Sequence, residues 1–108
     1  MKHITTKAEF EALIKENNNV VIDFYAQWCG PCKMIAPELE RVESNIKVVK
    51  VDVDEFEDLA RTYGVMSIPT LILFDNGKEV KRKVERKTNK KISKKTSIVF
   101  FIYNLLSQ

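Results

Sequence analysis

The sequence predicts an α/β fold in which a central mixed β-sheet lies between helices on both faces. Three observations carry that expectation. Segments with helical and with strand-like apolar spacing alternate from about residue 6 to residue 74, the pattern of parallel strands joined by crossover helices. A strong turn signal, Asp75-Asn76-Gly77, then joins two strands as a hairpin and makes the last pairing antiparallel. Finally, Val20-Val21-Ile22-Asp23-Phe24-Tyr25 is apolar on both faces apart from one acid, as a strand covered on both sides must be.

The elements follow in order. Thr6 with Glu9 three residues later has the form of a capping box, and Phe10, Leu13 and Ile14 recur at helical spacing until the Asn17–Asn19 cluster stops them. The run 20–25 is the central strand. Beyond it Ile35, Leu39 and Val42 share a helical face, and Pro37 removes a backbone donor where that helix should kink. Ile46 to Val53 reads as a second β-branched strand. Glu55 to Tyr63 reads as a helix with Phe56, Leu59, Ala60 and Tyr63 inward and Gly64 closing it. Thr70-Leu71-Ile72-Leu73-Phe74 follows Pro69 as a strand, and Lys78 to Val84 is its hairpin partner.

Composition bounds the function. A chain of 108 residues, 44% of them hydrophobic, suits one domain with one core. No stretch approaches the roughly 18 apolar residues of a membrane span, and Met1 to Thr6 lacks the apolar region of a secretory signal, so a cytoplasmic protein is expected. The two cysteines are too few for a disulfide framework, and a close pair in a reducing compartment is more often catalytic or metal-binding than structural. One histidine and two cysteines cannot close a four-ligand zinc site within one chain, and His3 reads as a solvated residue near a terminus.

The chemistry concentrates in Trp28-Cys29-Gly30-Pro31-Cys32-Lys33, at the start of a helical pattern. A cysteine at a helix N-terminus meets unpaired backbone N–H groups and the positive end of the dipole, both of which favour the thiolate that performs disulfide exchange. Cys29 is therefore the expected attacking sulfur. Cys32, one turn on, can resolve a mixed disulfide from within the chain. Asp23, an acid in an apolar strand, should have a raised pKa through desolvation. Lys33 either serves solubility or tunes Cys29.

Asp23-Phe24-Tyr25-Ala26-Gln27-Trp28-Cys29-Gly30-Pro31-Cys32-Lys33-Met34-Ile35-Ala36-Pro37, Lys50-Val51-Asp52-Val53-Asp54 and Ile68-Pro69-Thr70 with Leu71 to Gly77 together resemble the thioredoxin family, over roughly residues 1 to 84. A bare Cys-X-X-Cys is a weak signal; the order of all these features is a specific one. The resemblance implies the thioredoxin fold and a protein-disulfide reductase in which Cys29 attacks, Cys32 releases the reduced target and Asp23 moves the proton that Cys32 loses. The other reading of Asp23 is a buried acid neutralised by a lysine, and Lys50 matches the family position for that partner. The resemblance further implies a cis Ile68–Pro69 bond that turns the Ile68 backbone toward an extended substrate segment, where a trans proline would only restrict the strand entry. Trp28, Gly30, Pro31, Met66 and Ile68 would then form an apolar patch around the sulfur, although Trp28 also admits a core reading. The Gly-Pro pair is the family's reductase pattern. Electrons would come from thioredoxin reductase, a flavoprotein using a nicotinamide cofactor, while this chain, a monomer, would bind no cofactor itself. The rivals are a non-catalytic thioredoxin-fold interaction module, against which intact Cys29, Cys32, Asp23 and Pro69 argue, and a disulfide isomerase or oxidase, which differs only in redox poise.

The last part of the chain departs from the family within what is still read as a single domain. Glu85 stands where thioredoxins usually carry a glycine. Residues 81–95 hold nine Lys or Arg against that one acid, a net of +8 in a chain of net +3, so the rest carries −5. Ile98 to Leu106 is then apolar almost all round. Three readings stand side by side: a diverged but docked terminal helix, an added surface for an acidic partner, nucleic acid or an anionic membrane, and the product of an altered reading frame.

Overall fold

The computed structural model describes residues 1–84; the readings of the tail from residue 85 onward lie outside the described residues. The described chain runs β1 (Lys2–His3), α1 (Lys7–Glu16), β2 (Val20–Tyr25), α2 (Gly30–Val42), β3 (Lys47–Asp52), α3 (Glu57–Thr62), β4 (Thr70–Asp75) and β5 (Lys78–Val84). The five strands form one sheet in the order β1-β3-β2-β4-β5. β3 is parallel to both β1 and β2, whereas β4 is antiparallel to β2 and β5, which gives the mixed sheet expected.

Alternation along β2 decides what each helix covers. Val20, Ile22 and Phe24 pack with Phe10, Leu13 and Ile14 of α1 and Leu59 of α3 on one face. Val21 belongs to the opposite cluster with Ile35 and Leu39 of α2 and Leu71 and Leu73 of β4. Asp23 follows Val21 by two residues, so the period of a strand turns its carboxyl toward the α2 side. On the α1 side, the Phe10 and Phe74 rings meet edge to face at 6.0 Å, and Tyr63 stacks on Phe10 at 5.6 Å.

Local signals operate largely as expected. The Thr6 hydroxyl accepts the Glu9 N–H at 3.0 Å, but the Glu9 carboxylate reaches one residue beyond the cap, accepting from the Thr5 N–H at 2.8 Å and the Thr5 hydroxyl at 3.0 Å. These bonds, with the Lys2 ammonium, hold the Glu9 carboxyl down at about 2. Gly64, at φ 64°, ends α3 in a Schellman arrangement: the Val65 N–H bonds the Ala60 carbonyl at 2.8 Å and the Gly64 N–H bonds the Arg61 carbonyl at 3.1 Å. Asn76 and Gly77 both have positive φ, 52° and 87°, as a two-residue type I′ hairpin requires.

Three boundaries differ from the sequence reading. β1 has no counterpart in it, because two exposed residues have no periodicity and exist as a strand only by pairing with Val49 and Lys50. Ile46 precedes β3, its N–H still bonded to the Val42 carbonyl at 3.1 Å. α3 begins at Glu57 rather than Glu55, since the Asp52 carbonyl takes the N–H groups of Glu55 and Phe56 into a turn first. Among the described residues no helix is long and apolar enough to cross a membrane.

Candidate active site

Cys29 is the N-cap of α2, and its sulfur accepts the Cys32 N–H at 3.2 Å, so one of the helix's orphan donors points at the sulfur. Gly30 and Pro31 form the first turn, where the missing proline N–H leaves no helical bond unmade. Cys32 comes round one turn later, and the two cysteines form a disulfide with Cα atoms 5.3 Å apart. Pro37 lies inside the helix and removes the donor that would have bonded the Lys33 carbonyl, yet α2 continues through it to Val42.

Both cysteines are buried in the disulfide, each 3% exposed. Their difference is electrostatic. Cys29 sits at the cap, facing the amide of residue 32, whereas Cys32 lies within the helix.

Ile68, far away in sequence, meets this turn. The Ile68–Pro69 bond is cis, and the Ile68 carbonyl oxygen lies 3.9 Å from the Cys29 sulfur. Trp28 and Met66 are 69% and 96% exposed, while Pro31 and Ile68 are half-buried and Gly30 is open. Trp28 is thus at a surface and not in the core. Its indole N–H donates to the Asp54 carboxylate at 2.7 Å, and Asp54 is itself held by its N–H bond to the Asp52 side chain at 2.9 Å. Asp54 was legible only as part of a motif; nothing in its own neighbourhood marks it as the anchor of a ring 26 residues away.

Asp23 is 1% exposed, and neither carboxylate oxygen has a hydrogen-bond partner. Burial pushes its carboxyl up to about 7, against the pull of the Lys50 ammonium 3.9 Å away. Lys50 faces Asp23 in register across β3 and β2. Lys33 is exposed on α2. His3, read as merely solvated, is on an exposed strand but has its ring Nδ1 3.0 Å from the Tyr25 hydroxyl. Among the described residues, no three His, Cys, Asp or Glu side chains are grouped so that they could hold a metal ion.

The arrangement supports reversible thiol–disulfide exchange: two sulfurs in bonding reach, one at a helix cap, and a buried carboxyl that changes charge near neutrality. Comparison with known proteins agrees. The Thioredoxin family model matches residues 1–97. The thioredoxin of Mycoplasmoides gallisepticum is 47% identical over 87 residues, covering 78% of this chain and 87% of that protein. A bifunctional thioredoxin reductase/thioredoxin of Mycobacterium leprae is 46% identical over 85 residues, covering 75% of this chain and 19% of that protein. Among solved structures, Plasmodium falciparum thioredoxin superposes with a TM-score of 0.83 at 32% identity, covering 96% of this chain and 98% of that one.

Proposed function

This chain belongs to the thioredoxin family and is a thiol–disulfide oxidoreductase, and from that premise we propose that it works as a cytoplasmic reductant of protein disulfides. The observation that carries the reading is the Cys29 sulfur at the cap of α2, beside the Ile68 carbonyl. In the reduced protein, the Cys29 thiolate attacks one sulfur of a target disulfide; a mixed disulfide forms and the other target sulfur leaves as a thiolate. Cys32 then gives up its proton, attacks Cys29 and expels the target's second sulfur. The chain leaves as the Cys29–Cys32 disulfide, two electrons poorer, and the target as a dithiol.

Asp23 is the acceptor for the Cys32 proton. A carboxyl with a pKa of about 7 is ionised in a substantial fraction of molecules at neutral pH and can return the proton afterwards. The extended backbone of a target lies against Ile68, with Trp28, Gly30, Pro31, Met66 and Pro69 shaping the apolar surface around it. Lys33 and Lys50 tune the charge near the two sulfurs and Asp23. Two electrons per cycle come from thioredoxin reductase, a flavoprotein using a nicotinamide cofactor; the fusion of reductase and thioredoxin in the Mycobacterium leprae relative supports that pairing. The protein carries electrons as a monomer and uses no cofactor beyond its dithiol.

Insulin-disulfide reduction driven by a thioredoxin reductase and its nicotinamide donor tests this. Sustained turnover that Cys29→Ser abolishes is expected; a folded, fully reducible protein without turnover would contradict it.

A further inference from the structure

His3, Lys50 and Asp23 stand directly opposite one another on β1, β3 and β2, so their side chains leave the same face of the sheet in a row from its edge to its centre. Beside that row lies a groove of about 380 Å³, lined among others by His3, Tyr25, Gln27, Cys32, Lys33 and Lys50. The groove gives the Lys50 ammonium an alternative. A long, flexible side chain beside open space gains hydration by swinging into it, and only a competing attraction keeps it over a buried acid. The 3.9 Å separation from Asp23 is too long for a hydrogen bond and leaves the carboxylate a weak anchor by itself.

The competing attraction is visible. The Lys50 ammonium sits 4.0 Å from the centre of the Tyr25 ring, in cation–π contact. The ring is itself fixed: Tyr25 is buried, its hydroxyl is 3.0 Å from His3 Nδ1, and the two rings meet edge to face at 5.7 Å. Lys50 is therefore held between an aromatic face and a carboxylate, next to the groove onto which Cys32 opens.

We propose that Tyr25 is a positioning residue whose ring face seats the Lys50 ammonium beside Asp23 and keeps it from the groove. The proposal deepens the reading of Asp23 as the proton acceptor for Cys32 and rests on it for its catalytic meaning. Seating Lys50 lowers the proton affinity that burial alone would give Asp23. The other titratable groups around the seat are His3 from β1, Asp52 at the end of β3, Lys33 from α2 and Glu55, whose charge acts on the phenol.

The test is the titration of the Asp23 carboxyl carbon, followed by NMR in the disulfide form. Tyr25→Leu should raise its midpoint by at least about half a pH unit, roughly threefold in proton affinity, whereas Tyr25→Phe, which keeps the ring, should leave it near that of the unaltered protein. Leucine also changes the packing around the acid, so the decisive comparison is made in Lys50→Gln. There Tyr25→Leu should produce no further shift, because no ammonium remains to be seated. Equal shifts in both backgrounds, or equal shifts for Phe and Leu, would overturn the proposal. Should Tyr25→Leu not fold, the unaltered protein still reports. The Lys50 ε-methylene protons should be displaced upfield by the Tyr25 ring current, and random-coil positions would overturn the seat. Asp23→Asn separates the two ideas: unchanged resolution of the mixed disulfide would remove the proton-acceptor role while leaving the titration results intact.

Discussion

Asp23 and Lys50 face each other in register on adjacent parallel strands, yet the ammonium stops 3.9 Å short and both carboxylate oxygens go without a hydrogen bond. The fold therefore retains an acid whose burial is only partly offset, a costly arrangement for a domain whose total stability is on the order of 5–15 kcal/mol. That cost is the origin of its usefulness, because it places the ionisation of Asp23 near neutral pH.

The stability of the fold should carry the signature of this group. Its pKa in the native state, about 7, lies above the ordinary aspartate value of 3.8, so between those limits the native state binds more protons than the unfolded one and stability falls as pH rises. The full effect is on the order of 4 kcal/mol. Asp23→Asn cannot ionise, and its advantage over the unaltered protein should grow from pH 4 to pH 7 and then level off. Urea unfolding across that range measures it. Parallel profiles for the two proteins would show that Asp23 does not titrate there.

The cap position of Cys29 predicts a difference in reactivity between the two thiols of the reduced protein. After reduction, limiting iodoacetamide at neutral pH should alkylate Cys29 well before Cys32, because the Cys29 thiolate is stabilised by the Cys32 N–H and the dipole of α2. Peptide mapping reads the ratio. Equal labelling would remove the electrostatic distinction.

Trp28 is exposed but tethered. Asp54→Ala removes the acceptor of its indole N–H and should leave the ring mobile at a stability cost of no more than about 1 kcal/mol, the scale of a solvent-exposed hydrogen bond. Because Trp28 is the only tryptophan, its fluorescence anisotropy reports the change directly and should fall. Target reduction should weaken mainly through KM. Unaltered anisotropy would mean that packing, and not Asp54, orients the ring.

Leu39 is fully buried where α2 meets the sheet, on the helix that carries both cysteines. Leu39→Ala should destabilise the protein by about 2–5 kcal/mol, through lost burial and the cavity left behind. Denaturant midpoints check this. A loss below about 1 kcal/mol would show that the layer can collapse around the smaller residue.

The elements that periodicity specifies were legible: α1 from Thr6 and its apolar stripe, β2 from an uninterrupted apolar run, and the hairpin from Asn76-Gly77. β1 was not, since its two residues become a strand only beside β3. The site divides in the same way. Cys29, Cys32 and Asp23 are marked by residue type in an unusual context, a thiol at a helix start and an acid in a core strand. Asp54 and Tyr25 are ordinary in their own segments, and their contacts arise only when β2, β3 and the turn after β3 are brought together. Ile68 was linked to Cys29 through family resemblance, because no local pattern connects residues 66–69 with residue 29.

The division of labour between the two sulfurs is tested most directly by covalent trapping. Cys32→Ser, reduced and mixed with disulfide-containing proteins, should accumulate mixed disulfides that mass spectrometry places at Cys29, because the resolving thiol is gone. Cys29→Ser should accumulate few. If instead Cys29→Ser traps as many partners through Cys32, the attacking and resolving roles assigned from the helix cap are reversed.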